Sequence, residues 1–163
     1  ILSRANTTLR CNVPFINPVT GKIEKRDLIP DALFGLEYVK DEQSTYRFFV
    51  IEADRGTEPT KSSKFNRKSH LRSFLQYENY IAKGLYKDHL NLTAGLLVLN
   101  VVVHETTMHA MQNLLTKLFP KGNAYHLFQT VDENLIRSLG DMSEQFDPLG
   151  AWQRSGHEDL IIG

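Results

Sequence analysis

The run Leu96-Leu-Val-Leu-Asn-Val-Val-Val103 identifies the class of fold. It is nearly all apolar and rich in β-branched residues, as in a strand that is covered on both faces. Apolar residues at helical spacing precede it and predict a helix from about Ser69 to Tyr86. A second helix follows, capped by Thr106 or Thr107, and it stops at Pro120. This alternation predicts an α/β fold in which the run lies inside the sheet.

Two further segments rich in β-branched and aromatic residues lie upstream, Leu28 to Tyr38 and Tyr46 to Ala53. The polar stretch Lys40 to Ser44 separates them, which predicts a β-hairpin. Tyr125 to Thr130 predicts a short last strand. The predicted order is therefore ββαβαβ, a mixed central sheet flanked by helices. We interpret the segment that ends in Asn17-Pro-Val-Thr-Gly-Lys22 as a turn that leads into the first strand.

The composition is that of a single globular domain. The 163 residues, 41% hydrophobic and 23% charged, suffice to bury a core, which excludes intrinsic disorder and disulfide-stabilised scaffolds. Cys11 is the only cysteine, so no internal disulfide can form and a cytoplasmic protein is expected. No apolar run approaches the ~20 residues that cross a bilayer, so we expect no membrane anchor. Because the sequence opens at Ile1 without Met, we expect a fragment that lacks an upstream domain.

Basic residues concentrate in one segment, although 19 basic and 19 acidic residues leave the whole chain without net charge. Between Arg55 and Arg72, six basic residues accompany the single acid Glu58. Such a segment is suited to contacts with the phosphates of DNA. The alternative is a solvated face of the protein. The candidate DNA-binding residues are Arg55, Lys61, Lys64, Lys68 and Arg72.

The predicted hairpin brings three carboxylates together. With a loop from Lys40 to Gln43, antiparallel pairing places Asp31 directly opposite Glu52. Side chains alternate between the faces of a strand, so Asp54 points to the same side as Glu52. Like charges placed opposite each other destabilise a sheet, and this arrangement therefore requires a compensating cation, a salt bridge or exposure at the strand ends.

A divalent metal is one cation that would satisfy these acids. Mg²⁺ prefers hard oxygen ligands from one or two carboxylates, with waters and a phosphate completing its shell. Asp31, Glu52 and Asp54 are therefore candidate ligands of Mg²⁺ or Mn²⁺. The alternative is that a basic side chain such as Arg47 or Arg55 neutralises them.

These residues resemble a known motif. Pro30-Asp31, followed by Glu52-Ala-Asp54 at the end of a hydrophobic strand, resembles the motif of the PD-(D/E)XK nuclease superfamily, and the order hairpin, helix, strand, helix also matches. Leu28-Ile-Pro-Asp-Ala-Leu-Phe34 and Phe49-Val-Ile-Glu-Ala-Asp-Arg-Gly-Thr-Glu58, followed by a helix with Tyr77 and Tyr80, are similar to the replication-relaxation proteins of plasmids and mobile elements. The resemblance covers about Leu28 to Phe128. It implies a metal-dependent DNA endonuclease-like domain that acts in replication or transfer, with replication or conjugation proteins as partners.

The resemblance also assigns roles to single residues. Asp31 and Glu52 correspond to metal ligands, but Asp54 stands where the superfamily has the lysine that orients and activates the attacking water. Lys68 and Arg72, at the start of the following helix, are candidates for the displaced cation. Without such a substitute the site would be inert. The chain would then be a catalytically degenerate DNA-binding or protein-docking module.

Gln76 and Tyr80 form a second, shorter pattern. They are four residues apart and share one face of the predicted helix. The pattern Gln-x-x-x-Tyr is similar to an accessory motif of some nucleases in this superfamily that act in recombination, which implies a catalytic role for Gln76. The alternative is structural, with the Gln amide and the Tyr hydroxyl bonded to local partners beside the buried stripe.

Overall fold

The computed structural model describes residues 2–3, 7–54, 56, 58–60, 65, 67–131 and 149–163. Within them the chain forms nine strands and three α-helices. The strands are β1 (Leu2–Ser3), β2 (Cys11–Ile16), β3 (Ile23–Leu28), β4 (Ala32–Lys40), β5 (Gln43–Asp54), β6 (Leu96–Val102), β7 (His126–Thr130), β8 (Ala151–Arg154) and β9 (His157–Ile161). The helices are α1 (His70–Ala82), α2 (Leu85–Leu90) and α3 (Glu105–Leu118). No helix in this part of the chain is long and apolar enough to cross a membrane.

The main sheet is mixed, which confirms the predicted α/β class. Its strand order is β1-β4-β5-β6-β7-β8-β9, and β2 and β3 form a separate two-stranded ribbon. Strand β6 pairs in parallel with β5 on one side and β7 on the other, whereas the other neighbours pair antiparallel. The apolar run that begins at Leu96 therefore lies inside the sheet, as predicted.

The β4–β5 hairpin has the predicted register. Val39 pairs with Ser44, and Ala32 pairs with Ile51 at the far end of the ladder. A two-residue turn, Asp41 and Glu42, connects the strands, and both residues have a positive φ (49° and 63°). Turns of this left-handed type match the twist of paired strands, so the turn and the alternation of side chains specify the same register.

Both faces of the central strands are covered. On one face Val50 and Val98 pack with Tyr77 of α1, and α3 extends this layer. On the other face Phe49 packs in a buried cluster with Trp152 of β8. The sheet curls. The hydroxyl of Tyr38 in β4 donates to the carbonyl of Ile162, the residue after β9, over 2.7 Å.

The helices differ from the prediction in two places. The predicted helix from Ser69 to Tyr86 is interrupted, because Gly84 has a φ of 68° and separates α1 from α2. The prediction that Thr106 or Thr107 caps the second helix is wrong, since α3 begins at Glu105 and its N-cap is His104. This N-cap makes no side-chain hydrogen bond. Only two residues, Val103 and His104, separate the end of β6 from the start of α3.

Strand β1 and two antiparallel pairs, β2–β3 and β8–β9, were not predicted from the sequence. The turn at Asn17–Lys22 is present, but it joins β2 to β3 rather than leading into a first strand. Val13 and Phe15 on the inner face of this ribbon are buried, and β2 packs on α1. The second unpredicted pair is β8 and β9, which supplies the cover over Phe49.

Candidate functional site

The strand pairing places Asp31 beside Glu52. The Asp31 amide donates to the Ile51 carbonyl over 2.9 Å, and Asp31 Oδ2 accepts a hydrogen bond from the Ala53 amide over 2.9 Å. The paired ladder itself ends at Ala32 and Ile51, so these two bonds hold Asp31 against the end of β5 one residue beyond the ladder. Burial raises the pKa of Glu52, and the charge of Asp31 adds to that rise. Asp31 therefore lies beside the end of β5 that carries Glu52, but beyond the paired ladder rather than opposite Glu52 within it.

The ammonium group of Lys68, which lies outside the sheet, contacts Glu52. Lys68 lies two residues before α1, and its Nζ is 2.8 Å from Glu52 Oε2 and 3.1 Å from Glu58 Oε1. Burial alone would lower the pKa of Lys68, but the two carboxylates outweigh it and hold the pKa well above its usual value. The same attraction opposes the rise in the pKa of Glu52. Lys68 is therefore the cation that neutralises Glu52, and it joins Glu52 to Glu58.

The other predicted DNA-binding residues are placed differently or are not described. Arg72 is buried, and its Nη1 donates to a backbone carbonyl over 3.1 Å in the segment that precedes α1. Arg72 therefore bonds the segment before α1 to the helix itself. Three of the predicted contacts lie outside the described residues: Arg55, Lys61 and Lys64.

Tyr77 is a site residue that the sequence interpretation missed. Its hydroxyl donates to Glu52 Oε1 over 2.5 Å, and the residue is fully buried. Burial raises the pKa of Tyr77 well above its usual value, so the hydroxyl keeps its proton and remains a donor. Tyr77 lies three positions after Phe74 on the buried face of α1. That helical spacing indicates that Tyr77 is buried, but it does not indicate the contact with Glu52.

Gln76 and Tyr80 contact other parts of the molecule. Gln76 Nε2 donates to the carbonyl of Arg26 over 2.8 Å, and the Tyr80 hydroxyl lies 2.6 Å from His89 Nδ1. Both residues are buried. These contacts join α1 to β3 and to α2, and they agree with the structural alternative for the Gln-x-x-x-Tyr pattern.

Asp54 has a partner of its own. Its Oδ2 lies 3.0 Å from Nε2 of His70, the first residue of α1, and both residues are buried. The Gly56 amide donates to Asp54 Oδ1 over 2.8 Å. Burial alone would raise the pKa of Asp54, but the interactions with His70 and Gly56 outweigh it and lower the pKa below its usual value. Asp54 is thus held as an anion at the start of α1.

A small cavity lies between these side chains. Its volume is about 20 Å³, and its lining includes Glu52, Asp54, Lys68, His70 and Asn100. Because roughly 10–15 Å³ is enough for a water molecule, the cavity admits one water-sized species. Among the residues that the structure describes, no group of three or more His, Cys, Asp and Glu side chains is arranged to hold a metal ion.

A pair of carboxylates nevertheless meets the usual requirement of Mg²⁺. This ion is commonly held by one or two carboxylates and keeps several waters, with phosphate oxygens of a substrate completing the octahedron. Asp31 and Glu52 each carry hard oxygen donors of this kind, and the charge of Asp31 acts on Glu52, whereas Asp54 is engaged by His70. By the chemistry of their donors, Asp31 and Glu52 are the two predicted ligands that suit Mg²⁺ or Mn²⁺.

Comparisons with protein-family models, with curated proteins and with solved structures give no match.

Proposed function

We propose that this chain is a metal-dependent DNA endonuclease-like domain of the PD-(D/E)XK type that acts in replication or transfer of a plasmid or mobile element. The observation that carries the proposal is the 2.8 Å contact between Lys68 Nζ and Glu52 Oε2. In the motif that the sequence resembles, the lysine follows the second carboxylate by two positions, where this chain has Asp54. Lys68 supplies the ammonium group to the same carboxylate from the segment before α1.

Each residue then has a distinct part in phosphodiester hydrolysis. Asp31 and Glu52 would hold Mg²⁺ or Mn²⁺, which supplies Lewis acidity and lowers the pKa of a bound water. Lys68 would orient the attacking water and stabilise negative charge that develops on the phosphate. The buried hydroxyl of Tyr77 fixes the Glu52 carboxylate from the side of α1. The proposed substrate is DNA, and replication or conjugation proteins are the proposed partners.

A specific observation favours a second candidate. Both oxygens of Glu52 already have donors, Tyr77 on Oε1 and Lys68 on Oε2. In a catalytically degenerate DNA-binding or protein-docking module, this ion pair would permanently take the place of a metal. Lys68 would then neutralise Glu52 and take no part in a reaction.

A plasmid-nicking assay with Mg²⁺ and with Mn²⁺ distinguishes the two candidates. The wild-type protein should nick supercoiled DNA, and Glu52→Gln and Lys68→Met should each slow nicking by about 100-fold or more, the usual cost of removing a group that acts on transition-state charge. Glu37→Gln is the matched control. Glu37 is exposed on β4 and hydrogen-bonded to Tyr46, so its replacement should leave the rate unchanged.

Calorimetry without DNA gives a readout that does not depend on cleavage. Mn²⁺ binding should be measurable at millimolar metal and should fall sharply in Glu52→Gln and in Asp31→Asn. The loss in Asp54→Asn should be smaller, because His70 already engages that carboxylate. The degenerate module would be the better account if the wild-type protein binds no Mn²⁺ and cleaves no DNA, and if its affinity for DNA equals that of Glu52→Gln.

A further inference from the structure

The β2–β3 ribbon exposes apolar side chains at its free end. Ile16 and Ile23 pair across the last position of the ladder, and Val19 lies in the turn that joins the strands. These residues are 60%, 73% and 72% exposed, respectively. We call them the ribbon tip. They are grouped rather than scattered, and grouped apolar residues on a surface mark a site of interaction.

The shape of the turn is fixed by Asn17. Its Oδ1 accepts hydrogen bonds from the amides of Val19 (2.8 Å) and Thr20 (3.3 Å), and its Nδ2 donates to Glu24 Oε1 over 2.6 Å. The Gly21 amide donates to the Asn17 carbonyl over 2.8 Å. Because these bonds order the turn in advance, the ribbon tip would lose little conformational entropy when it binds a partner.

The base of the ribbon is fixed on α1, the helix that carries Tyr77. Asn79 Nδ2 donates to the Pro14 carbonyl over 2.8 Å, and Gln76 Nε2 donates to the Arg26 carbonyl over 2.8 Å. The ribbon is therefore an arm with its base bonded to the element that borders the candidate site, while its tip is exposed.

The charges around the ribbon tip indicate the kind of partner. Lys22 and Lys25 are exposed on either side of Ile23, and neither forms an ion pair with a described residue. The segment from Arg10 to Leu28 has four basic and two acidic residues. Centres of protein–protein interfaces are depleted in lysine and enriched in aromatic residues, and the ribbon tip has no aromatic residue. Proteins that bend DNA instead combine apolar wedges in the minor groove with basic side chains on the phosphates.

We propose that the ribbon tip is a wedge for the minor groove of duplex DNA. Val19 and the adjoining isoleucines would enter between two base pairs and unstack them, while Lys22 and Lys25 contact the flanking phosphates. This inference rests on the DNA binding in the proposed function and specifies its form, namely a kinked duplex. The preferred substrate is then duplex DNA that unstacks easily, such as a duplex with a mismatch or a pyrimidine–purine step.

The experiment uses the whole chain and two duplexes labelled at both ends with a fluorophore pair, one fully paired and one with a central mismatch, in buffer without divalent metal. Wild-type protein should bind the mismatched duplex about tenfold more tightly, because its bases cost less to unstack. It should also increase energy transfer between the ends. Val19→Ser combined with Ile23→Ser should abolish both effects and keep the salt-dependent affinity for the paired duplex.

Val39→Ser is the matched control, since Val39 is 69% exposed beside the β4–β5 turn, and it should behave as the wild type. If the double variant bends DNA and prefers the mismatched duplex as the wild type does, the ribbon tip is not a wedge, although the proposed DNA binding is unaffected. If neither the wild type nor the variants bind either duplex, both the proposed DNA binding and the proposed wedge are wrong. A wild type that sediments as a dimer, with a monomeric double variant, would assign the ribbon tip to a second copy of the chain and overturn the wedge.

Discussion

Glu52 and Asp54 point to the same face of β5, but their pKa values shift in opposite directions. Burial raises the pKa of Glu52 despite the nearby Lys68, whereas His70 and Gly56 outweigh burial and lower the pKa of Asp54. Two carboxyl groups with separated pKa values can take different roles in one site. The raised pKa suits Glu52 to taking up and releasing a proton or to changing its cationic partner. The lowered pKa suits Asp54 to remaining ionised.

Replacing Asp54 with Asn should make the fold less sensitive to acid. His70 and Gly56 lower the pKa of Asp54 in the folded protein below its ordinary value, so its ionised form contributes stability above the unfolded pKa, and the contribution is lost as pH falls through the folded pKa. We expect the free energy of unfolding of the wild type to fall more steeply below about pH 4 than that of Asp54→Asn. Urea titrations from neutral pH to pH 3 measure both.

Asp88→Asn is the control for this prediction, because it removes the same charge from an exposed position on α2. Its pH dependence should match that of the wild type. Equal slopes for wild type and Asp54→Asn would mean that His70 and Gly56 do not stabilise the anion.

The β4–β5 hairpin could be predicted from local sequence, but the β2–β3 ribbon could not. In the hairpin, two alternating strands and a short polar loop leave a single favourable register. In the ribbon, Pro14 interrupts one strand and the charged run Glu24-Lys-Arg-Asp27 occupies most of the other. Their pairing depends on packing against α1, which the sequence pattern of either strand does not encode.

The residues of the candidate site likewise divide into those that local sequence predicts and those that depend on packing between distant elements. Asp31 and Glu52 follow from the hairpin register, and Lys68 could be named as a candidate because the motif lacks its lysine. Tyr77 could not be assigned to Glu52, since their contact depends on how α1 crosses β5. The partnership of Asp54 with His70 likewise depends on where the segment before α1 places the first helical turn.

Glu42→Gly should stabilise the β4–β5 hairpin. Glu42 has a φ of 63°, a left-handed conformation that costs a residue with a Cβ about 1–2 kcal/mol. Glycine avoids this cost but loses more backbone entropy on folding, so we expect a net gain of about 0.5–1 kcal/mol in the free energy of unfolding. Urea titration at neutral pH measures the gain. Glu42→Ala, which keeps a Cβ at the same φ, should show none, and an equal gain in both variants would assign the effect to lost charge.

The curled sheet as a whole depends on strands that are distant in sequence. Trp152 of β8 is fully buried against Phe49 of β5, and the Tyr38 hydroxyl bonds to the carbonyl of Ile162. These contacts close the second face of the central strands. The stability of the molecule should therefore depend on β8 as strongly as on the helices.

Trp152→Ala should be among the most damaging single substitutions. Truncating a fully buried Trp typically costs about 3–5 kcal/mol through lost burial and the cavity that remains. Circular dichroism during urea titration measures the change. Ile161→Ala in neighbouring β9 is the control: Ile161 is 66% exposed, so its truncation should cost less than about 0.5 kcal/mol. Similar losses for the two variants would contradict the role assigned to Trp152.

The bond from Tyr38 to Ile162 joins residues 124 positions apart, and this has a consequence for the nascent chain. When β4, β5 and β6 leave the ribosome, β8 and β9 have not yet been translated. Phe49 and Leu99 therefore lack their cover during synthesis, and transiently exposed apolar strands are what chaperones bind and what aggregates. Slow translation between β7 and β8 would prolong that exposure. The yield of folded protein in a cell should therefore depend on chaperones more than its final stability would suggest.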